Sequence, residues 1–248
     1  MENRREAGQP SPRQVQLEWY GTYEEAVRKI EKSRLTAAVK QKYLTQLAKK
    51  EGLLDAGAVP FPEKHYSCIV ADPPWFYQLR NQDKTHRNRI PYPAMQLEEI
   101  LALPVPALAD LTGCVLWLWT TNTHMPDACK CLEHWGFALK TILTWVKVSK
   151  SGTPHIGVGH WLRNVTEHCL LATKGKPRSF GDNGTQTLTN ELTLLLTRRR
   201  EHSRKPEEFY QLVEKLCPDL SKLEMFARQP RPGWESWGNE VEKFALDQ

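Results

Sequence analysis

The stretch IVADPPWFYQ, residues 69–78, leads from an apolar run through an aspartate and two prolines to a tryptophan. The apolar run is typical of a buried strand, and Asp and Pro are common in the turns that end strands. Two interpretations are open at this point: an ordinary turn, or an active site at the end of a strand. The pattern of the remaining chain distinguishes between them.

From residue 65 onward, short β-rich segments alternate with segments of helical character. The predicted strands are residues 66–71, 114–119, 140–146, 166–173 and 222–227, and the predicted helices are residues 96–103, 125–136 and 205–216. Apolar strands that alternate with helices predict an α/β fold with a largely parallel sheet covered on both faces. Ligands of such folds bind beyond the carboxyl ends of the strands. The DPPW motif, residues 72–75, directly follows the first predicted strand, so its position favours an active site.

The chain length of 248 residues suits one substantial core with an extension better than two full domains. We expect a disordered tail and a helical extension over residues 1–55, and a catalytic domain over residues 56–248. Within the extension, residues 22–52 show an amphipathic helical pattern that begins at a capping box formed by Thr22 and Glu25. The Lys- and Arg-rich face of these helices is explained either by solvent exposure or by contact with nucleic acid.

The composition narrows the classes of function. The net charge of +5 permits a polyanionic partner without requiring one. The chain begins with a polar, charged segment and has no apolar stretch of about 18 residues, which predicts no signal peptide, no membrane span and a cytoplasmic location, or a nuclear one in a eukaryote. The six cysteines lack CxxC spacing, which favours core packing over metal binding or disulfides. Neither a GxGxxG motif nor a phosphate-loop motif occurs.

The DPPW motif combines hydrogen-bond acceptors with an aromatic ring. Pro73 and Pro74 have no backbone N–H, so the rigid backbone presents only carbonyl oxygens, and the Asp72 carboxylate can only accept. Such a site suits a ligand with two N–H donors, for example an exocyclic amino group, and the ring of Trp75 could stack on a flat heterocycle. Two acceptors that hold the hydrogens of an aromatic amine localise its nitrogen lone pair. The nitrogen then becomes a better nucleophile towards an electrophilic methyl group.

Six segments of this chain recur in the same order in one protein family. They are ADPPW (71–75), PYPAM (91–95), WVK (145–147), GHWLRN with EHCLLATKGKP (159–177), SRKPEEFY (203–210) and FARQPRPGWESWGNE (226–240). Through them, residues 65–242 resemble the DPPW-type (MT-A seventy) S-adenosylmethionine-dependent adenine-N6 methyltransferases, a family with messenger-RNA-modifying and compact bacterial and phage members. The resemblance implies a Rossmann-like methyltransferase fold in which the catalytic motif precedes the cofactor motifs.

The resemblance also implies a role for each matching residue. Asp72 and the carbonyl of Pro73 would bind the adenine amino group, within a catalytic motif completed by Pro74 and Trp75, and Asp72 would also lie near the cofactor's methionine moiety. Lys205 would pair with the carboxylate of S-adenosylmethionine. The resemblance assigns the cofactor's ribose and rim to Asn239, Glu240 and Arg228. It assigns the target-base pocket to Tyr92, Trp145, Trp161 and Glu167.

Several of these residues also have a purely structural explanation. Trp145 lies in an apolar strand and is explained equally well as a core residue, and Glu167 is likewise open between packing and function. Tyr92 and Trp161 lie in loops beside Pro or Gly, where a large aromatic side chain favours function. Lys205 stands at the start of a predicted helix, where a cation opposes the helix dipole, and this favours a functional role for its charge.

Two basic segments accompany the proposed site. Residues 76–90 carry four Lys or Arg residues and one Asp. Solvent exposure and nucleic-acid contact explain this charge equally, but its position beside the DPPW motif favours phosphate binding by Arg80, Arg87 and Arg89. The second basic segment is TRRREHSRK, residues 197–205. At Glu240 the chain departs from relatives that carry Gln, although a carboxylate can still accept hydrogen bonds from ribose hydroxyls.

These observations predict an adenine-N6 methyltransferase that uses S-adenosylmethionine, needs no metal, and acts on DNA or RNA. DNA is favoured because no RNA-binding module is recognisable and the chain resembles the compact members of the family. A catalytically inactive nucleic-acid-binding scaffold is one alternative, although the DPPW motif is intact. A methyltransferase for a small-molecule or protein amine is another. A homodimer or heterodimer also remains open.

Overall fold

A computed structural model describes residues 59–77, 94–157, 161–177, 190–198, 200–201, 204–241 and 243–244. Nearly all of them belong to one compact unit, residues 61–248. The predicted extension, residues 1–55, lies outside the described residues, so the predicted division into domains stays a prediction. Residues 78–93, which contain most of the first basic segment, also lie outside the described residues.

The described residues form seven strands and four helices. The strands are β1 (Cys68–Ala71), β2 (Gly113–Thr120), β3 (Ala138–Val148), β4 (Thr166–Gly175), β5 (Leu194–Arg198), β6 (Lys222–Met225) and β7 (Trp234–Trp237). The helices are α1 (Leu97–Leu101), α2 (Val105–Leu108), α3 (Met125–Trp135) and α4 (Glu207–Leu216). All five predicted strands and all three predicted helices are present at the expected places.

All seven strands belong to one sheet with the order β5-β3-β4-β2-β1-β6-β7. Strands β1, β2, β6 and β7 pair in parallel, as do β3 and β5, while β4 runs antiparallel to both of its neighbours. The prediction of an α/β fold with a largely parallel sheet is therefore confirmed. Its Rossmann-like character places ligand sites beyond the carboxyl edge of the sheet.

The sheet is covered on both faces, which explains why its central strands are apolar throughout. Every residue of β1 and of β2 is buried. One face packs against α3, whose buried residues recur at helical spacing and whose last turn ends at Gly136 in a left-handed conformation, φ 74°. The other face packs against the apolar side of α4. Five of the six cysteines are buried, as the expectation of core packing requires.

Two strands were not predicted from the sequence. β5 begins with three consecutive leucines, an apolar run that was not assigned to a strand, and its residues alternate between exposed and half-buried at the edge of the sheet. β7 has the sequence WESW and is only half-buried, and it lies at the opposite edge. Edge strands bury less surface than central ones, and the hydrophobic pattern of β7 is correspondingly weak.

The reversed direction of β4 has a consequence for the site. Because β4 runs against its neighbours, its first residues lie at the edge where the parallel strands end. Trp145 of β3 is in register with Glu167, and Thr120 at the end of β2 is in register with His168. Glu167 therefore lies at the same edge of the sheet as Asp72, which follows the last residue of β1.

Candidate active site

Three charged side chains meet at the carboxyl edge of the sheet. The Lys205 ammonium lies 2.9 Å from Oδ2 of Asp72 and 3.1 Å from Oε2 of Glu167. Asp72 is supplied by the end of β1, Glu167 by the start of β4, and Lys205 by the segment that enters α4. The structure thus brings together three residues that the sequence assigned to catalysis, base binding and cofactor binding.

The cluster places one ammonium between two carboxylates in a largely buried setting. The Lys205 side chain is only 8% exposed, and its ammonium also lies 4.9 Å above the ring of Trp119. Burial alone would lower the pKa of Lys205, but the carboxylates of Asp72 and Glu167 outweigh this effect and raise it. Lys205 therefore stays charged, and it could serve as an anchor for an anionic ligand group.

Glu167 binds a second cation, Lys147 of β3. Burial alone would raise the pKa of Glu167, but the charges of Lys205 and Lys147 outweigh it and lower the pKa to about 2. Glu167 is consequently a permanent carboxylate at neutral pH. It holds both lysines in place and cannot act as a general acid in this arrangement.

The two DPPW carbonyls are fixed by local hydrogen bonds. The Trp75 N–H donates to the Pro73 carbonyl at 2.9 Å, and the Met95 N–H donates to the Pro74 carbonyl at 2.8 Å. A carbonyl oxygen has two lone pairs, so each can accept one further hydrogen bond. The structure gives Oδ1 of Asp72 no partner among the residues that it describes. A rigid pair of acceptors, Asp72 Oδ1 and the Pro73 carbonyl, is thus available at the end of β1.

Trp75 does not present the open ring face that the sequence suggested. Its side chain is 6% exposed, its Nε1 donates to the carbonyl of Trp119 at 3.0 Å, and its ring stacks on His124 at a centroid distance of 5.5 Å. The ring follows two rigid prolines and turns into the core beside β2, where it fastens the DPPW turn to the sheet. In this structure the Trp75 ring anchors the motif to the core and has no exposed face on which a base could stack.

The two other described tryptophans of the predicted site lie in opposite environments. Trp145 is 2% exposed, and its Nε1 donates to the carbonyl of Thr197, so its ring packs in the core. Trp161 is 89% exposed, on a loop whose stem is closed by the Gly157 N–H bond to the Asn164 carbonyl at 2.7 Å. Trp161 could therefore contact a substrate, although nothing in the structure tests this role.

The predicted cofactor rim lies next to the ends of β6 and β7. Arg228 pairs with Glu240 at 3.4 Å, and Asn239 is exposed beside them. Phe226 adopts a left-handed backbone conformation, φ 63°, at the end of β6. A Cβ at Gly238 would lie 3.0 Å from the Phe226 backbone, so glycine permits the close approach of the two segments. Strained backbone of this kind is frequent at ligand sites.

A narrow cleft connects this rim to the charged cluster. It encloses about 20 Å³ and is lined by residues of both regions, namely Val70, Asp72, Trp119, Arg204, Lys205, Tyr210, Glu224, Phe226, Arg228, Gln229, Arg231 and Phe244. The side-chain oxygen Oε1 of Gln229 is buried there without a hydrogen-bond partner among the described residues. A buried cation, buried acceptors and an exposed amide suit a ligand that has a carboxylate, an ammonium group and hydroxyls. The lining therefore matches these groups of S-adenosylmethionine in charge and hydrogen-bonding character, and the cleft would have to widen to admit the cofactor, because its present volume holds about one water molecule.

The comparison with known families identifies the chain. The MT-A70 family model matches residues 66–240, which include the whole charged cluster and the rim.

The chain belongs to the MT-A70 family.

Proteins similar to this MT-A70 chain come from eukaryotes and bacteria. A putative N(6)-adenosine-methyltransferase MT-A70-like protein from Medicago truncatula is 34% identical over 189 residues, which are 73% of this chain and 27% of that protein. The N(6)-adenosine-methyltransferase catalytic subunit METTL3 from Homo sapiens is 29% identical over 73% of this chain and 29% of its own length. Type II methyltransferase M.MunI from Mycoplasma sp is 32% identical over 76% of this chain and 83% of its own length.

Coverage divides these relatives into two groups. The chain spans little more than a quarter of the plant and human proteins but most of M.MunI. The resemblance inferred from six motifs is confirmed, as is the Rossmann-like fold class. Tyr92, Arg80, Arg87 and Arg89 lie outside the described residues.

A second buried network in this MT-A70 domain was missed in the sequence. Tyr210 donates to Oε1 of Glu224 at 2.6 Å, and the guanidinium of Arg231 lies 3.2 Å from the centre of the Tyr210 ring. Burial raises the pKa of Glu224 to about 7, although Tyr210 and Arg231 act in the opposite direction. Glu224 is in register with Val70 of β1 and so lies on the same face as Asp72. The available signal was a glutamate between two apolar residues, Leu223 and Met225, of a predicted strand.

Lys147 was also missed, although it belongs to a recognised motif. The WVK segment contributed only Trp145 to the predicted site, and the structure shows that the lysine of this segment reaches the charged cluster instead. Among the described residues no group of three or more His, Cys, Asp or Glu side chains could hold a metal ion. No described helix is long and apolar enough to cross a bilayer.

Proposed function

We propose that this chain transfers a methyl group from S-adenosylmethionine to the N6 amino group of adenine in nucleic acid. The observation that carries the proposal is the acceptor pair at the end of β1, Asp72 Oδ1 and the Pro73 carbonyl, in a chain that belongs to the MT-A70 family. An amino group has two hydrogens, and this pair offers one acceptor for each. Family membership adds relatives that are named as N(6)-adenosine methyltransferases.

The acceptor pair would act on the electronic state of the amino nitrogen. The lone pair of an aromatic amine is delocalised into the ring, which makes the nitrogen a poor nucleophile. Hydrogen bonds from both N–H groups to Asp72 and Pro73 would favour a pyramidal nitrogen with a localised lone pair. Lys205 fixes the Asp72 carboxylate through Oδ2, so the acceptor is oriented before the substrate arrives.

S-adenosylmethionine would supply the electrophilic methyl group when bound. Lys205 is the proposed partner of its carboxylate, because an ammonium near a carboxylate forms a charge-assisted contact. Asn239 and Glu240 are proposed to hold the ribose hydroxyls, with Arg228 at the rim. The pairing of Arg228 with Glu240 would keep that carboxylate oriented for this purpose.

The substrate base must leave a helical stack to reach the edge of the sheet. The amino group of adenine is inaccessible to a catalytic pocket inside an intact duplex, so we propose that the base is single-stranded or flipped out. Trp161 and the residue Tyr92 would receive the base, and Arg80, Arg87 and Arg89 would hold phosphates. DNA is the preferred substrate of the proposal, because the relative of comparable length is a type II methyltransferase.

A transfer assay with labelled S-adenosylmethionine tests the proposal. The purified chain is offered single- and double-stranded DNA, single- and double-stranded RNA, free adenosine and a lysine-rich peptide, and the nucleic acids are digested to nucleosides. We expect label in N6-methyladenine from at least one nucleic acid and none in the peptide. Label in the peptide or in free adenosine alone would favour the small-molecule or protein amine alternative. No label anywhere, with intact nucleic-acid binding, would favour the inactive scaffold.

A further inference from the structure

A cavity lined by described residues lies apart from the charged cluster, where β3 and β5 end side by side. It encloses about 510 Å³, and its lining includes Lys150, Arg198 and Arg200. Pockets of about 300–1,000 Å³ hold ligands of the size of a nucleotide. Arg198 ends β5 in register with Val148, the last residue of β3, so the cavity opens on the same edge of the sheet as Asp72.

The cavity has cations that are not paired with a carboxylate in the part of the chain that the structure describes. Neither Lys150 nor Arg198 forms an ion pair with any residue that the structure describes. Two carboxylates also line the cavity: Glu207, which is bound by Arg231 at 2.8 Å and by Arg200 at 3.4 Å, and the exposed Glu208. Three cations against two carboxylates leave the lining with a net positive charge, which suits an anionic ligand.

The wall that carries Lys150 is preformed. The Ser149 N–H donates to the Thr153 carbonyl at 2.8 Å, and the Gly152 N–H donates to the Ser149 carbonyl at 3.1 Å. Gly152 adopts a left-handed conformation, φ 81°, which permits this tight turn after β3. A turn held by its own hydrogen bonds loses little conformational entropy when a ligand binds.

We propose that this cavity, the β3–β5 pocket, is a second binding site for the substrate strand and takes a phosphate and sugar a few nucleotides from the target base. The proposal rests on the proposed nucleic-acid substrate. In the strand order, the middle of β3 and β5 is three and a half strand spacings from β1, about 17 Å at about 4.8 Å per strand. About five base-pair steps of B-form DNA, or fewer nucleotides of an extended strand, cover that distance.

The test measures whether the pocket makes nucleic-acid binding depend on the length of the substrate. Single-stranded oligonucleotides contain one adenine in the centre of a trinucleotide, or in the same trinucleotide extended by six pyrimidines on its 5′ or its 3′ side. Binding is measured by fluorescence anisotropy between 50 and 300 mM salt, and methyl transfer is measured in parallel. The variant is Lys150→Gln/Arg198→Gln, and both positions are exposed.

The matched control removes the same charge from the other edge of the sheet. Lys140 lies near the start of β3 and Lys176 follows the end of the antiparallel β4, and both side chains are exposed. The control variant is therefore Lys140→Gln/Lys176→Gln. It lowers the net charge by the same amount as the test variant, so it separates a local site from a general effect of charge.

We expect one of the two extensions to tighten binding of the native protein and of the control by at least tenfold. Lys150→Gln/Arg198→Gln should lose that gain and flatten the slope of log K against log salt by up to about 1.4, since each single-strand contact contributes about 0.7. Its methylation of the trinucleotide should be unchanged. A test variant that keeps both the gain and the slope would overturn the proposal, even if adenine methylation is observed. Absence of methylation with every substrate would instead contradict the proposed function.

Discussion

The ammonium of Lys205 lies 2.9 Å from Oδ2 of Asp72, so one oxygen of the motif's only carboxylate is bound by a buried cation. The other oxygen, Oδ1, stays available as an acceptor. Glu167 binds the same ammonium at 3.1 Å and thereby limits its movement. This relationship links the proposed catalytic group and the proposed cofactor anchor in one contact, and it makes separable predictions for stability, pH dependence and activity.

Lys205→Met should destabilise the protein as well as weaken cofactor binding. The substitution leaves Asp72 without its cation in a buried setting, and breaking a buried ion pair costs about 3–5 kcal/mol of unfolding free energy. Urea unfolding at pH 7 measures this loss. Calorimetry on the folded variant should show at least about tenfold weaker binding of S-adenosylmethionine, because a hydrogen bond to a charged group contributes about 1.5–3 kcal/mol.

Lys130→Met is the control for that experiment. Lys130 pairs with Asp127 at 3.3 Å, but its side chain is exposed, so the change should cost less than about 1 kcal/mol. Equal losses of unfolding free energy in the two variants would mean that burial does not increase the contribution of the Lys205 ion pairs to stability.

Glu167→Gln should change how stability depends on acidity. The pKa of Glu167 is lowered from its usual 4.5 to about 2 in the folded protein, so its contribution is fully present above about pH 4.5 and is lost as the pH falls towards 2. A shift of this size corresponds to about 3 kcal/mol. Urea unfolding between pH 2.5 and 6 should show a steeper loss for the native protein than for Glu167→Gln. Parallel curves would contradict the assigned role of this carboxylate.

Trp161→Ala should lower substrate affinity without affecting stability. The side chain is 89% exposed, and substitutions at such positions usually change the unfolding free energy by less than about 0.5 kcal/mol. If Trp161 stacks on a base, nucleic-acid binding should weaken by about 1–3 kcal/mol. Leu111→Ala provides the comparison, because Leu111 is equally exposed and precedes β2 at the opposite edge of the sheet. Identical binding by both variants would remove Trp161 from the substrate site.

Asn239→Ala should weaken cofactor binding and leave the stability of the protein unchanged. Asn239 is exposed beside the Arg228–Glu240 pair, so its loss should leave the melting temperature unchanged. If its amide holds a ribose hydroxyl, the affinity for S-adenosylmethionine should fall by about 0.5–1.5 kcal/mol, as is typical of a neutral hydrogen bond. Calorimetry measures this directly. An unchanged affinity would place the ribose elsewhere.

The sequence predicted the fold well where burial makes the pattern strong. The apolar run before Asp72 is β1, which is fully buried between β2 and β6, and α4 begins within two residues of its predicted start. The three leucines of β5 were not assigned to a strand, and the pattern of β7 was weak because edge strands bury little apolar surface. The direction of β4 is not encoded in any local pattern, and this direction is what brings Glu167 to the site.

The sequence predicted which residues belong to the candidate site better than it predicted the contacts between them. Asp72, Lys205 and Glu167 were all named, but their mutual ion pairs depend on three segments that are far apart in sequence. The ring of Trp75 was interpreted as a face on which a flat heterocycle could stack, and it is buried in the structure. A local pattern indicates that a ring is present, whereas only the tertiary fold decides which way it turns.

The most direct test of the account is the rate of methyl transfer to adenine by Asp72→Ala. The carboxylate would act on the reacting amino group, so the account predicts that N6-methyladenine is formed by the native protein and is undetectable with the variant, while both melt cooperatively and bind nucleic acid equally. An Asp72→Ala protein that keeps more than about a tenth of the native turnover, a loss of less than about 1.4 kcal/mol, would contradict the account.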